Sequence, residues 1–85
     1  MDLKDTHAEK ITWIDSATGS STWELISDLE KIDLDPIEIF TFGIIIKETD
    51  TFVTVAQNYG TNPPQFSNTM SIPKGCIIKR EKIEI

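Results

Sequence analysis

The side chains of this 85-residue chain that could act as nucleophiles are few and scattered. Nucleophilic catalysis needs a Ser, Cys or Thr beside a base and a third group that orients the base. The one histidine, His7, lies in a charged N-terminal stretch, and the one cysteine, Cys76, follows a turn. We expect Cys76 to be a small, half-buried apolar side chain; the alternative, a reactive thiol, would need a lowered pKa. The sequence therefore predicts no catalytic residue and no enzyme activity.

Acidic side chains around residue 30 are the other candidates for chemistry, as ligands of a metal ion. Asp28, Asp33 and Asp35 are close in sequence, but they lack the spacing, central glycine and terminal glutamate of a calcium loop. One histidine and one cysteine cannot complete a structural zinc site. We interpret the cluster as the solvated acidic end of a helix, and we predict neither a metal nor a cofactor.

The net charge of −6 determines which partners the chain favours. Nucleic-acid affinity depends on Lys and Arg that neutralise phosphates, and anionic membrane surfaces attract the same residues, so both partners are disfavoured. A candidate basic strip nevertheless stands in the last twelve residues, made of Lys74, Lys79, Arg80 and Lys82. Lys79 and Arg80 would point to opposite faces of a strand. We interpret the strip as a sheet edge kept soluble by its charges, with phosphate binding as the alternative.

The stretch Ile37–Asn58 organises the chain, because it predicts two long β-strands joined by a tight turn at residues 48–50. The first of these strands is apolar on both faces, with Ile37, Ile39 and Ile45 on one and Phe40, Phe42, Ile44 and Ile46 on the other. A strand that is apolar on both faces is covered on both. One face would therefore point into a core, and the other would meet a helix or a partner chain.

The remaining elements are short. We predict a strand over 10–15, a helix over 22–32, a loop over 59–65, a strand over 66–72, a turn or single 3₁₀ turn over 73–76 and a closing strand over 77–82. Ser21 and Glu24 match a capping box at the start of the helix, and a helix this short must dock on the sheet to be stable. Residues 1–9 are predicted to be flexible, and residues 10–85 to form a single domain.

Two tryptophans allow two interpretations. Trp13 lies in the first predicted strand, and Trp23 lies in the first turn of the predicted helix. They could clamp the helix against the sheet, each with its indole N–H hydrogen-bonded. Alternatively, one of them could join Tyr59 and Phe66 in an exposed recognition patch, because aromatic residues are enriched at protein interfaces.

Several short motifs resemble known small barrels. The run Ile72-Pro73-Lys74-Gly75, leading into Ile77-Ile78, resembles the strand–3₁₀–strand corner of Src-homology-type barrels, and the hairpin around Gly43 resembles the bent central hairpin of Sm-like barrels. Together with Trp13-Ile14-Asp15, Trp23 and the segments 41–43 and 56–58, these motifs resemble small proteins of unknown function from bacteriophages, prophages and other mobile elements. The resemblance implies a mainly β fold: a small five-stranded, strongly bent Src-homology/Sm-like barrel with one short helix between strands 1 and 2.

The predicted elements are too few to cover both faces of the first long strand. Surplus apolar surface on a small domain usually meets a partner, so we expect a non-catalytic protein–protein interaction or assembly accessory module of bacterial or phage origin, with self-association as the simplest case. The candidate interaction surface comprises Phe40, Phe42, Ile44, Trp23, Tyr59 and Phe66. The alternative is a nucleic-acid-binding Sm-like small barrel. The polar N-terminus and the lack of a long apolar run predict a cytoplasmic protein with no membrane partner.

Overall fold

The computed structural model describes residues 6–16 and 23–84. They form a mainly β structure whose strands are β1 (Ala8–Asp15), β2 (Ile37–Glu48), β3 (Phe52–Thr61), β4 (Pro64–Pro73) and β5 (Ile77–Ile83), with a first 3₁₀ turn at Ile26–Lys31 and a second at Lys74–Cys76. The five predicted strands and the 3₁₀ turn after Pro73 are confirmed. β1 begins at Ala8 rather than at Lys10, so the last residues of the segment predicted to be flexible belong to the sheet.

All five strands belong to one sheet in the order β4-β3-β2-β1-β5, and every neighbouring pair is antiparallel. β2 is central because Ile37–Ile44 pair with β1, whereas Ile44–Glu48 pair with β3. The hairpin predicted to organise the chain is thus the middle of the sheet. β4 and β5 are the two ends of this order, so within the described residues the sheet is open rather than a closed barrel.

A small core forms where the sheet bends over itself. Its buried members are Ile11, Ile45, Val53, Val55 and Ile72, with Trp13 and Ile77 packed against them. These residues come from all five strands, and burying each aliphatic side chain contributes about 1.5–3 kcal/mol. The β2–β3 register shifts between Ile45 and Lys47. An irregularity of this kind bends a strand and increases its twist. Ile45, directly before it, is one of the core residues.

Gly43 has a different role from the bend that its position predicts. No described glycine has a positive φ, so the backbone at Gly43 does not itself require glycine. A Cβ atom there would lie 3.0 Å from the Ala56 carbonyl oxygen and 3.1 Å from the Val55 Cβ. Gly43 therefore allows β3 to approach β2 closely, and the irregularity in β2 comes two residues later, after Ile45.

The helix predicted over 22–32 is wrong in type and in packing. The structure has only the 3₁₀ turn Ile26–Lys31, in which no residue is buried. Leu25 stands at its N-cap without a side-chain cap bond, and Ser21 of the predicted capping box lies outside the described residues. A short helix gains most of its stability from packing an apolar face against other elements. Among the described residues the side chains of that face are exposed, so packing does not stabilise a longer helix.

The loop predicted over 59–65 is also wrong. β3 continues to Thr61, β4 begins at Pro64, and only Asn62 and Pro63 form the turn, with a cis peptide bond between them. Proline is tolerated at turns and at the first residue of an edge strand, so this pair marks a hairpin tip rather than a long loop.

The β3–β4 hairpin gives the molecule an elongated shape. Pairing between β2 and β3 ends at Ala56, whereas pairing between β3 and β4 continues to Thr61 and Pro64. The outer part of this hairpin, residues 57–68, is therefore a two-stranded ribbon. The radius of gyration is 17.5 Å, compared with about 12 Å for a compact domain of this length.

Candidate interaction surface

An apolar patch lies on the outer face of β2, opposite the core. Phe40 and Phe42 are 53% and 56% exposed, whereas Ile44 is half-buried. The neighbouring strand explains the exposure, because β1 places Thr12 opposite Phe40 and Lys10 opposite Phe42. The Lys10 Nζ also lies 4.6 Å from the centre of the Phe40 ring, a cation–π distance. The two rings thus share a sheet face on which β1 provides polar neighbours.

Trp23 occupies a second exposed region. Its side chain is 102% exposed, so its predicted role in a clamp between helix and sheet is wrong. The apolar side chains around it are exposed as well, namely Leu25, Ile26, Leu29, Ile32 and Leu34. Trp13 has the hydrogen-bonded indole N–H that was predicted, since its Nε1 donates to the Thr41 Oγ1 at 2.9 Å, but it packs against the core of the sheet and clamps no helix.

Tyr59 and Phe66 lie in a third region, on the projecting ribbon. They are directly opposite each other in the β3–β4 register, and they line a shallow groove with Asn58, Gly60, Gln65 and Ser67. Phe66 is 52% exposed. By strand alternation, they project from the sheet face opposite to that of Phe40 and Phe42. The six candidate residues are therefore divided among three regions instead of forming one surface.

The candidate basic strip is also divided, and most of its charge is already paired. The Arg80 guanidinium contacts Glu9 and Glu48, the Lys74 Nζ lies 2.9 Å from the Glu48 Oε2, and the Lys79 Nζ lies 3.0 Å from the Glu81 Oε1. Lys82 is exposed and stands opposite Glu9 in the β1–β5 register.

Arg80 is the centre of an ion-pair network that links β5 to β1 and to the end of β2. Its Nε donates to the Glu9 Oε1 at 2.6 Å and its Nη2 to the Glu9 Oε2 at 2.8 Å, while Nη1 and Nη2 donate to Glu48 at 3.0 and 2.9 Å. Glu9 is 5% exposed. A buried carboxylate with two parallel donors is a strong, charge-assisted arrangement.

The network lowers the pKa values of its two glutamates. Hydrogen bonds from Arg80 lower the pKa of Glu9, against the opposing effect of burial. Hydrogen bonds from Arg80 and then from Lys74 lower the pKa of Glu48 to about 2. Both carboxylates are therefore ionised at neutral pH, and Arg80 is fully charged.

Sequence reasoning missed Glu9, because the charged stretch around it was interpreted as a flexible terminus. The signal that could have found it is the alternation of Glu9, Ile11 and Trp13, which places the three on one strand face. The neighbouring His7 Nε2 lies 2.5 Å from the Glu9 Oε2. Cys76 is a half-buried free thiol, as expected of a small apolar side chain.

Among residues 6–16 and 23–84, no group of three or more His, Cys, Asp or Glu side chains is arranged to hold a metal ion. The same part of the chain contains no helix of the length and apolar character that crossing a membrane would require. The chain matches no protein-family model, no curated protein and no solved structure.

Proposed function

We propose that this protein is a non-catalytic interaction or assembly module that binds protein surfaces, its own included, through the outer face of β2. The observation that carries the proposal is the adjacent pair Phe40 and Phe42, each more than half exposed on a regular sheet face. A rigid sheet holds aromatic side chains in place, so little conformational freedom remains to be lost on binding. Aromatic anchors of this kind supply much of the binding energy of protein interfaces.

We also propose that the open sheet is a Src-homology/Sm-like barrel that is incompletely closed. Two contacts support this idea, since one joins the β4–β5 corner to the β2–β3 turn and the other joins β5 to the end of β2. The Lys74 amide donates to the Thr51 carbonyl oxygen at 2.8 Å, and Arg80 pairs with Glu48. The resemblance to bacteriophage and mobile-element proteins stays a prediction. Phage structural, replication or transfer genes next to the gene of this protein would support it.

Nucleic-acid binding has weaker support. Neutralising phosphates requires cations that are available to them, whereas Arg80, Lys74 and Lys79 each lie against a carboxylate. Neighbouring acids would also repel a phosphate backbone. Protein surfaces are therefore the partners that the charge distribution favours.

The test is a comparison of Phe42→Asp with the matched variant Ile78→Asp, which places the same charge at another exposed apolar residue, 59% exposed on β5. We expect the mean mass of the wild-type chain, measured by light scattering, to rise with concentration. Phe42→Asp should reduce this rise, because it places a charge in the apolar contact, whereas Ile78→Asp should leave it unchanged.

Circular dichroism and thermal unfolding of the dilute variants identify a folding defect. If Phe42→Asp unfolds the monomer, Phe42 belongs to the core and the proposal is wrong. The proposal also fails if Phe42→Asp assembles as the wild-type chain does, or if the wild-type chain is monomeric at every concentration.

A further inference from the structure

The outer edge of β4 is long and exposed. β4 ends the sheet order, and nine of its ten residues are exposed, with only Ile72 buried. A strand in this position presents unpaired backbone N–H and C=O groups along its outer side, which form a template for another strand. Soluble proteins usually block such an edge with charged side chains, with a covering helix or with a very short strand.

Charged side chains do not protect β4, because residues 51–73 contain none. All 22 Asp, Glu, Lys and Arg residues of the chain lie outside this segment. β5, at the other end of the sheet, has four charged residues among its seven. Prolines stand only at the two ends of β4, at Pro64 and Pro73.

The charge distribution favours a second copy of the chain as the partner that pairs with this edge. Two copies of a chain with a net charge of −6 repel each other wherever their acidic regions meet. An uncharged strand is where they can approach without like-charge contacts. A basic partner would instead be attracted to the acidic regions, which lie elsewhere.

We propose that β4 pairs antiparallel with β4 of a second copy around a two-fold axis, so that two sheets join into one of ten strands. This inference rests on the proposed assembly function and adds to it a second contact, distinct from the β2 face. Such an interface is self-complementary, as two-fold dimers require. The backbone hydrogen bonds would provide affinity, as they do when an extended peptide adds to a sheet edge.

The register follows from one irregular residue. Asn68 has a φ of 55° near the middle of β4, so a symmetric pairing is least disturbed when Asn68 faces its own copy. That register places Phe66 opposite the partner copy's Met70 on one face and Ser67 opposite the partner copy's Thr69 on the other. Phe66 and Met70 are 52% and 46% exposed, and pairing would cover both with a sulfur–aromatic contact.

The surface available is sufficient for such a contact. The chain exposes 6677 Å², about 1,600 Å² more than a compact chain of its mass would expose. A standard protein interface takes about 800 Å² from each partner. The β3–β4 hairpin contributes to this excess, since residues 61–70 are all exposed.

The experiment uses three full-length variants in the Phe42→Asp background, which removes the proposed β2 contact. The first carries Ser67→Lys and Thr69→Lys, the second Ser67→Glu and Thr69→Glu, and the control carries the same two lysines at Ser16 and Thr51, which are exposed and lie outside the strands. Each is measured by sedimentation or light scattering up to about 1 mM, where millimolar dissociation constants are detectable.

We expect Phe42→Asp alone and the Ser16/Thr51 control to dimerise. The lysine and glutamate edge variants should each raise the dissociation constant at least about tenfold at low salt, because like charges would lie directly opposite each other. Mixing the two edge variants should restore a dimer through opposite charges, which also shows that both variants are folded. Amide hydrogen exchange should show concentration-dependent protection in β4 and none in β5.

Three results would overturn the inference: a monomeric Phe42→Asp chain, edge variants that dimerise as the control does, or a mixture that gains no heterodimer. The failure of the proposed function looks different, because Phe42→Asp would then assemble as the wild-type chain does or would unfold. If it unfolds, the same edge variants and control are compared in the wild-type chain. A dimer that survives Phe42→Asp and is lost in the edge variants supports the β4 contact whatever happens at the β2 face.

Discussion

The two edges of this sheet are built in opposite ways. β5 has charged residues at four of seven positions, and the network of Arg80, Glu9 and Glu48 fastens it to the core side of the sheet. β4 carries no charge, and it is anchored through its ladder with β3 and through the buried Ile72. Charged edges resist pairing with another strand, whereas uncharged ones permit it. The difference supports the proposal that a second copy pairs with β4 rather than with β5.

The largest expected effect is the loss of stability on shortening Ile72, the buried residue of β4, compared with an exposed residue of β5. Ile72→Ala on β4 should lower the free energy of unfolding by about 2–5 kcal/mol, because it opens a cavity in a small core. The matched change Ile78→Ala on β5, at a side chain that is 59% exposed, should alter it by about 0.5 kcal/mol or less. Urea unfolding of both variants measures the difference, and equal losses would show that β4 is not held by its core residue.

The next effect concerns the ion pairs that fasten β5. Arg80→Met leaves the carboxylate of Glu9 buried without its main donor, and it should lower the free energy of unfolding by about 1–3 kcal/mol. This is below the range for a fully buried pair, because 28% of the Arg80 side chain is exposed. Lys79→Met removes only an exposed pair with Glu81 and should leave the free energy of unfolding nearly unchanged. Similar unfolding curves for the two variants would contradict a special role of Arg80.

The smallest effect is the pH dependence of the same network. The folded-state pKa values of Glu9 and Glu48 lie below the unfolded value of 4.5, so the network stabilises the fold fully above about pH 4.5. This stabilisation is lost as the pH falls, down to about 2 for Glu48. The melting temperature of the wild-type chain should therefore fall across this range by more than that of Arg80→Met. Parallel pH profiles of the two chains would exclude the network as the cause.

Residues of the same type differ in exposure and in ion pairing, although the sequence alone did not distinguish them. Phe40 and Phe42 are apolar like Ile45, the core residue that β2 contributes, but strand alternation places them on the outer face. Arg80 resembles the other cations of the basic strip, but two carboxylates hold it. The same residue types therefore serve different roles according to the strand that lies beside them.

Local sequence patterns were enough to predict the features that depend on neighbouring residues. Apolar runs predicted five strands, the polar residues around Thr49 predicted the central turn, and Pro73-Lys74-Gly75 predicted the second 3₁₀ turn. Each depends on the backbone preferences of a few consecutive residues, so tertiary contacts did not need to be known.

The other features could not be predicted locally, because they depend on contacts between residues that are far apart in the chain. The apolar face of residues 25–32 predicted a helix, but a helix that short persists only when something packs against it, and here its side chains are exposed. The pairing of Glu9 with Arg80 joins residues 71 positions apart. The order of the strands, which leaves β4 and β5 as the two edges, follows from long-range pairing that no local pattern specifies.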